Sequence, residues 1–185
     1  MNEMTQEKLI EFLKAGNVSI NEWGKGEAKT IEHLLEEINS GEAEISYKDG
    51  KILRIAYGAV LDVYYRDGNR ILKLKELKQV FKDGRERSRS LDVSIGEKMK
   101  PDEHSLDAVN RALREELQIT EKLYLVAMPL VVKGPVPSVS FPGLLTKYIM
   151  HAWYVYLPKH LYKPEGYIEE QSDKTNYFVW EEVKK

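Results

Sequence analysis

Two adjacent glutamates, Glu115 and Glu116, close a segment whose side chains could bind a metal ion. The segment reads SIGEKMKPDEHSLDAVNRALREEL and runs from Ser94 to Leu117. Carboxylates in the last turn of a helix lie near the negative end of the helix dipole, so a divalent cation would offset their repulsion. Mg²⁺ prefers oxygen ligands such as carboxylates and substrate phosphates. The pair is therefore suited to hold a metal against a diphosphate, and the alternative is an ordinary solvated face of a surface helix.

The apolar pattern predicts the helix that carries the pair. We expect Ser105 to be its N-cap, with Asp107 in the first turn. One stripe of apolar side chains would face the core, and it contains Leu106, Val109, Leu113 and Leu117. Residues three and four apart are neighbours on a helix. A second strip would therefore contain Ala108, Ala112, Glu115 and Glu116.

The rest of the chain predicts a short helical segment followed by strands. Helical spacing of apolar residues in Thr5–Ala15 and Thr30–Ser40 indicates two helices, and we expect residues 1–50 to form an extension that packs on the main body. Residues 51–185 would form the main domain. Apolar runs broken by Asp-Gly at 49–50, 67–68 and 83–84 predict hairpins.

Composition narrows the class of protein. A chain of 185 residues that is 42% hydrophobic and 31% charged is typical of a soluble globular protein. The net charge of −2 gives no overall attraction to nucleic acid or to membranes. The absence of cysteine excludes disulfide frameworks and thiol nucleophiles. We find no membrane-spanning apolar run and no signal-peptide pattern, so we expect a cytoplasmic protein.

The segment from Glu97 to Ile119 resembles the Nudix box of the Nudix hydrolases. That box reads Gly, five residues, Glu, seven residues, Arg-Glu, an aliphatic residue, any residue, Glu-Glu, any residue, Gly and an aliphatic residue. The positions that match in register are Glu103, Arg111, Leu113, Glu115, Glu116 and Ile119. The upstream hairpin and the later strands are also similar to the family's order, so the resemblance extends from about Leu53 to the C-terminus.

The resemblance implies a fold and roles for the matching residues. The fold would be α+β, a Nudix-type α/β/α sandwich with a mixed β-sheet, plus the short helical N-terminal extension. Glu115 and Glu116 would act in catalysis by binding Mg²⁺ or Mn²⁺. Arg111 and Glu103 would support the site by bracing the loop against the helix.

Three positions depart from the box. Glu97 stands at the first glycine position, with Gly96 one residue early, and Gln118 stands at the second. The Arg-Glu pair reads Arg111-Ala112, so one of the family's metal-linked glutamates is replaced by alanine. In the family that glutamate helps to bind metal or to activate water.

Two replacements for the lost glutamate are open. Glu97 lies in a loop whose backbone is close to the metal in the family, so its carboxylate could act in metal binding and catalysis. A base could instead come from a downstream loop, where Glu169 and Glu170 are adjacent. Each of these acids could also be an ordinary solvent-exposed residue.

Basic residues before the box could bind the phosphates of a substrate. Arginine holds phosphate with a planar fork of donors. The candidates in this region are Arg85, Arg87 and Arg89, and Arg54 at the start of the strands is a further one. The alternative is the solvent-exposed side of a hairpin. Aromatic residues late in the chain could stack on a nucleobase or form core.

We therefore expect a metal-dependent hydrolase of a nucleoside diphosphate linked to another moiety, a Nudix-type pyrophosphohydrolase. The substrate would be a nucleotide-type small molecule, without membrane or strong nucleic-acid partners, and a homodimer is possible because Nudix proteins are often dimers. The alternative is a catalytically impaired Nudix-fold module that binds a nucleotide or a protein, a role that Ala112 and Gln118 favour. Isomerase chemistry on an isoprenoid diphosphate also occurs in this fold family, and no residue here argues for it.

Overall fold

The computed structural model describes residues 3–48, 50–88 and 92–184. The chain forms two compact units. Unit 1 comprises Met1–Gly58, Lys98–Glu103 and Leu130–Met150, and unit 2 comprises Ala59–Glu97, His104–Pro129 and His151–Lys185. Unit 1 contains helices α1 (Gln6–Ala15) and α2 (Ile31–Asn39), and unit 2 contains α3 (Ser105–Leu117). The two N-terminal helices thus share their unit with segments well beyond residue 50.

The strands make the protein an α+β fold, as the sequence predicts. Within the described residues they belong to one mostly antiparallel sheet. In chain order they are β1 (Ala43–Lys48), β2 (Lys51–Asp67), β3 (Arg70–Phe81), β4 (Glu86–Arg87), β5 (Ile95–Lys98), β6 (Val126–Ala127), β7 (Val131–Pro137), β8 (Leu145–Tyr156), β9 (Tyr167–Glu170) and β10 (Lys174–Glu182). The layering of an α/β/α sandwich stays a prediction. No helix in the described ranges is long and apolar enough to cross a membrane.

Asp-Gly pairs form turns where the sequence predicts them. Asp67 ends β2, Arg70 begins β3, and Gly68 between them has a φ of +59°, which favours glycine. Gly84, with a φ of +86°, lies in the turn from β3 to β4. Gly50 lies between β1 and β2, while its neighbour Asp49 is outside the described residues.

Unit 1 has its own apolar core, which explains the position of Trp23. Leu9 and Leu13 of α1 and Leu34 of α2 are buried in one cluster with the Trp23 and Phe141 rings. The Trp23 Nε1 donates a hydrogen bond to the carbonyl oxygen of Pro142 at 2.9 Å. Trp23 therefore belongs to the core, because its ring is buried and its one polar atom has a partner.

A buried carboxylate at the centre of an ion cluster also stabilises unit 1. Glu37 is 3% exposed and accepts hydrogen bonds from Lys29 at 2.8 Å, Lys98 at 2.7 Å and Arg54 at 2.5 and 3.1 Å. Burial alone would raise the pKa of Glu37. The hydrogen bonds from Lys29 and Lys98 and the charge of Arg54 outweigh burial and lower this pKa to about 2.

The lowered pKa predicts a pH-dependent stability of the fold. The ordinary value is 4.5, so the ionised Glu37 stabilises the folded chain above that pH, and this contribution is lost as the pH falls towards about 2. We expect Glu37→Gln to lower the free energy of unfolding by about 3 kcal/mol at neutral pH. Urea unfolding at several pH values should show this difference shrinking below pH 4.5.

The control for this prediction is Glu22→Gln, which removes an exposed partner of Lys25. An exposed ion pair contributes little, so the control should unfold like the wild type at every pH. A Glu37→Gln effect that is independent of pH would contradict the assigned pKa.

Candidate active site

Helix α3 begins one residue earlier than the sequence predicts. His104, not Ser105, is the N-cap, and its Nδ1 accepts a hydrogen bond from the backbone N–H of Leu106 at 3.1 Å. Ser105 is instead the first helical residue and is buried, where its hydroxyl accepts a hydrogen bond from Trp153 Nε1 at 3.3 Å. The predicted N-cap was wrong because a histidine nitrogen supplies the acceptor that serine usually supplies.

The remainder of α3 follows the predicted pattern. Val109, Leu113 and Leu117 are buried, and the helix ends at Gln118, which has a φ of +59° in the left-handed region. This conformation usually favours glycine at the end of a helix. Gln118 therefore keeps the backbone conformation that a glycine would adopt at the same position of the box.

A row of polar side chains crosses the sheet of unit 2. In register, Arg87 of β4 lies opposite Gln79 of β3, Gln79 lies opposite Asn176 of β10, and Asn176 lies opposite Glu169 of β9. Opposed residues project to the same face of a sheet. Gln79, Asn176 and Glu169 are 2%, 4% and 8% exposed, so these three polar side chains are buried on this face of the sheet.

A β-bulge turns a further carboxylate towards the same face. Tyr177 is paired with Lys78, but Phe178 is paired with Glu76, so Leu77 is the extra residue of β3. Residues three apart project to opposite faces of a regular strand. The bulge therefore allows Glu76 and Gln79 to share a face, and the Gln79 amide donates a hydrogen bond to Glu76 at 3.3 Å.

These elements line a cavity in unit 2 that contains three of the predicted site residues. Its volume is about 220 Å³. The lining combines β3, β5, the end of α3 and the β9–β10 hairpin, and its residues are Glu76, Gln79, Ser94, Ile95, Gly96, Glu97, Glu115, Glu116, Glu169, Gln171, Lys174 and Asn176. Three carboxylates that the sequence predicts as catalytic, Glu97, Glu115 and Glu116, thus lie around one space, together with two further glutamates and one lysine.

Arg111 neutralises part of this acidic lining. Its Nη1 lies 3.0 Å from Glu97 Oε1 and 3.8 Å from Glu115 Oε2. The Arg111 side chain is only 13% exposed, whereas that of Glu115 is 58% exposed. Arg111 thus forms an ion pair that holds Glu97 beside the helix, and its supporting role at the site stays a prediction. Glu103 accepts a hydrogen bond from the backbone N–H of Lys100 at 2.8 Å.

Glu169 is held by amide donors instead of by cations. Asn176 Nδ2 donates to Glu169 Oε2 at 2.6 Å, and Gln171 Nε2 donates to Glu169 Oε1 at 2.7 Å. Amide hydrogen bonds hold a carboxylate in place without cancelling its charge. Of the two downstream acids considered from the sequence, Glu169 thus lines the cavity with Glu97, while Glu170 lines a second cavity of about 480 Å³ that shares Glu115 with the first.

Position 112 is buried and does not line the cavity. Ala112 is 1% exposed and its neighbour on the same strip, Ala108, is 0% exposed. This part of the strip is packed against the rest of unit 2, and only its end at Glu115 and Glu116 reaches the cavity. A third acid at the site must therefore come from another element of the chain.

The predicted phosphate-binding arginines lie in different settings. Arg87 projects to the face that carries Gln79. Arg85 is 69% exposed and pairs with Asp83 at 2.7 Å. Arg89 lies outside the described residues. Arg54 is 5% exposed in unit 1, where Glu37 holds it and its guanidinium lies 5.3 Å from the centre of the Phe141 ring. We therefore omit Arg54 from the proposed phosphate ligands.

The donor set of the cavity fits a hard divalent cation. Carboxylate and amide oxygens are the ligands that Mg²⁺ and Mn²⁺ prefer. Asn176 Oδ1 is buried and has no hydrogen-bond partner among the described residues. In the described part of the chain, however, no group of three or more acidic or histidine side chains is close enough together to hold a metal ion. Glu97 and Glu115 share the Arg111 guanidinium as their cation instead.

Several cavity residues were not identified from the sequence. Glu76, Gln79 and Asn176 lie in strand-like runs, where alternation gives no sign that a polar side chain faces inward. One sequence signal could have indicated Asn176. It is a polar residue two positions before Phe178, which is a core residue on the same face of the strand. Glu76 has no such signal, because the bulge that turns it depends on strand register.

Comparison with known proteins gives only distant similarity. No protein-family model and no curated protein matches the sequence. A solved binary complex of the C. elegans Ap4A hydrolase has 15% identity and a TM-score of 0.39, and the match covers 68% of this chain and 79% of that chain. A second crystal structure of C. elegans Ap4A hydrolase has 14% identity and a TM-score of 0.37, with coverage of 69% and 80%. Similarity at this level does not assign the chain to a family.

Proposed function

We propose that the protein is a metal-dependent hydrolase of a nucleoside diphosphate linked to another moiety. One observation carries the proposal: Glu97, Glu115 and Glu116, which the Nudix-like segment singles out, line the same cavity. Chance would rarely bring a strand residue and a helix end together around one space with two further carboxylates. The resemblance of the segment to the Nudix box supplies the reaction class.

The acidic residues would hold Mg²⁺ or Mn²⁺. Glu115 and Glu116 are the ligands from α3, and Glu97 from β5 is the third. The bound metal would polarise a phosphoryl oxygen and lower the pKa of the attacking water. Arg111, which pairs with Glu97 and Glu115 in the structure, would orient these two carboxylates and offset their charge before the metal binds.

Glu169 is the proposed general base. Its carboxylate lines the cavity, and the two amides that bond it leave it able to accept a proton. A base must also be fixed in direction, and hydrogen bonds to both of its oxygens fix this one. In the family, the glutamate at the position of Ala112 helps to bind metal or to activate water. Glu169 would take over the activation of water.

Two cations are placed to receive the phosphates. Lys174 lines the cavity directly, and Arg87 lies on the same sheet face as Gln79. A metal ion would reduce the negative charge of the lining, and these cations would then neutralise charge that develops on the diphosphate. The second cavity shares Glu115 with the first, so it is the nearest space for the moiety beyond the diphosphate.

A second candidate function is a nucleotide-binding or regulatory module without catalysis. The observation that favours it is the ion pair between Arg111 and Glu97, because a guanidinium at this place competes with a metal for the same carboxylates. Ala112 lacks the carboxylate that a glutamate at this position would contribute against that competition. The two candidates differ in turnover, not in fold.

Glu116→Gln tests the hydrolase proposal. We expect the wild type to cleave at least one member of a panel of nucleotide sugars, dinucleotides and dinucleoside polyphosphates in the presence of Mg²⁺ or Mn²⁺. The variant should lose about 100-fold or more in kcat, because one carboxylate ligand becomes a neutral amide. Phosphate release and product chromatography measure the activity of the wild type and of the variant.

The matched control is Glu181→Gln, an exposed glutamate of β10. It should retain full activity. Absence of turnover in the wild type, with nucleotide binding retained, would favour the binding module. Equal turnover in the wild type and in Glu116→Gln would show that the site lies elsewhere.

Glu97→Gln and Glu169→Gln separate the two carboxylates that could replace the missing one. If Glu97 binds metal and Glu169 takes the proton, Glu97→Gln should raise the metal concentration needed for half-maximal rate. Glu169→Gln should lower kcat at saturating metal and remove the acid limb of the pH–rate profile. Steady-state rates over a range of Mn²⁺ concentrations and pH values measure both effects. Identical behaviour of the two variants would contradict this division of roles.

A further inference from the structure

Asn176 is a buried amide at the centre of the polar row. It lies between Gln79 on one strand and Glu169 on the other, and it is 4% exposed. The next inward position on the same strand is Phe178, an ordinary core residue. An apolar residue at position 176 would continue that core, so core packing does not explain the presence of a polar amide there.

The hydrogen bond to Glu169 fixes the orientation of the amide. Asn176 Nδ2 lies 2.6 Å from Glu169 Oε2. If the amide were rotated by half a turn, its oxygen would face the carboxylate oxygen and the two acceptors would repel. The charge of Glu169 therefore determines which end of Asn176 points towards it.

This orientation leaves the other end of the amide without a partner. Asn176 Oδ1 is buried and accepts no hydrogen bond from any described residue. Buried acceptors without a partner are rare in proteins, because they lose their hydrogen bonds to water without replacement. Since Asn176 lines the cavity, a ligand that carries a donor could satisfy this oxygen after a small rotation of the side chain.

We infer that Asn176 is the positioning residue of the catalytic carboxylate Glu169 and that its amide oxygen accepts a hydrogen bond from the attacking water. The inference rests on the proposed hydrolase function. It deepens that function, because it assigns the direction of the base to one residue outside the Nudix-like segment. Gln171, which bonds the other carboxylate oxygen, is not buried and gives a weaker constraint.

A purely structural Asn176 would behave differently from a positioning residue. A structural residue affects folding, and its replacement lowers the amount of active protein without changing the chemistry of what remains. A positioning residue affects kcat, leaves KM nearly unchanged and alters the pH dependence. The variants Asn176→Asp and Asn176→Leu both have nearly the shape of asparagine, so they separate these effects.

Asn176→Asp places a second carboxylate against Glu169. Two carboxylates in contact cannot both be ionised at neutral pH, so the pair would retain a shared proton. In the metal-free variant the folded chain would bind more protons than the unfolded chain, and its stability relative to the wild type should fall as the pH rises above about 4, the ordinary carboxyl pKa. Urea unfolding without metal measures this, independently of any activity.

The same variant should show a displaced pH–rate profile. We expect kcat/KM to fall about 10- to 100-fold at neutral pH, with the acid limb moved upward by about one pH unit or more. Asn176→Leu should lower kcat about 10- to 100-fold with KM within about twofold of the wild type. Thr175→Val, one residue away on the opposite face of β10, is the control and should match the wild type.

The outcomes separate this inference from the proposed function. A wild type that hydrolyses no diphosphate overturns the hydrolase proposal and the catalytic role of Asn176 with it. An active wild type whose pH–rate profile is unchanged in Asn176→Asp overturns the positioning role alone. Wild-type kcat in Asn176→Leu also overturns that role, and if this variant fails to fold, the Asn176→Asp profile decides.

Discussion

The negative charge of five glutamate side chains around one cavity is the constraint on which the candidate site depends. Glu76, Glu97, Glu115, Glu116 and Glu169 line this cavity with a single lysine. Carboxylates that are partly removed from water are stable only if cations or hydrogen-bond donors offset their charge. The fold supplies both kinds of partner, since Arg111 pairs with Glu97 and Glu115, and amides donate to Glu76 and Glu169. Five carboxylates against Lys174 and Arg111 leave an excess of negative charge among these residues, which the proposed cation would offset.

In unit 1, by contrast, the charge of a buried carboxylate is fully compensated by cations. Glu37 is surrounded by Lys29, Arg54 and Lys98, and its pKa is lowered to about 2. Such a cluster leaves no acceptor for an incoming ion. The cavity of unit 2 differs because amides donate to both oxygens of Glu169, and because Glu97 and Glu115 both lie beside one guanidinium, that of Arg111. The contrast separates a carboxylate that stabilises the fold from carboxylates that could act on a ligand.

The sequence predicts local features well and long-range contacts poorly. Both N-terminal helices, α3 with its buried stripe and the Asp67-Gly68 hairpin follow from spacing and turn chemistry, and the structure confirms them. The N-cap of α3 was wrong because His104 takes the role expected of Ser105. Both choices use residue types that can accept a hydrogen bond, and only the geometry decides between them.

The candidate site was partly accessible to sequence reasoning. Register within a helix and an adjacent strand made Glu97, Glu115 and Glu116 identifiable, because all three lie within one short segment. Glu169 appeared only as one of two adjacent acids. Gln79 and Asn176 come from strands that meet through antiparallel pairing, and one bulge decides the direction of Glu76. Spacing along the chain does not encode that pairing, so these residues could not be placed without the structure.

The central claim is that the acidic cavity binds a divalent cation through its carboxylates. Titration of the protein with Mn²⁺, followed by the electron paramagnetic resonance signal of the free ion, tests this without any substrate. We expect one bound Mn²⁺ per chain in the wild type and at least about tenfold weaker binding in Glu116→Gln. Equal Mn²⁺ affinity in the two proteins, or no Mn²⁺ binding by the wild type, would overturn this proposal.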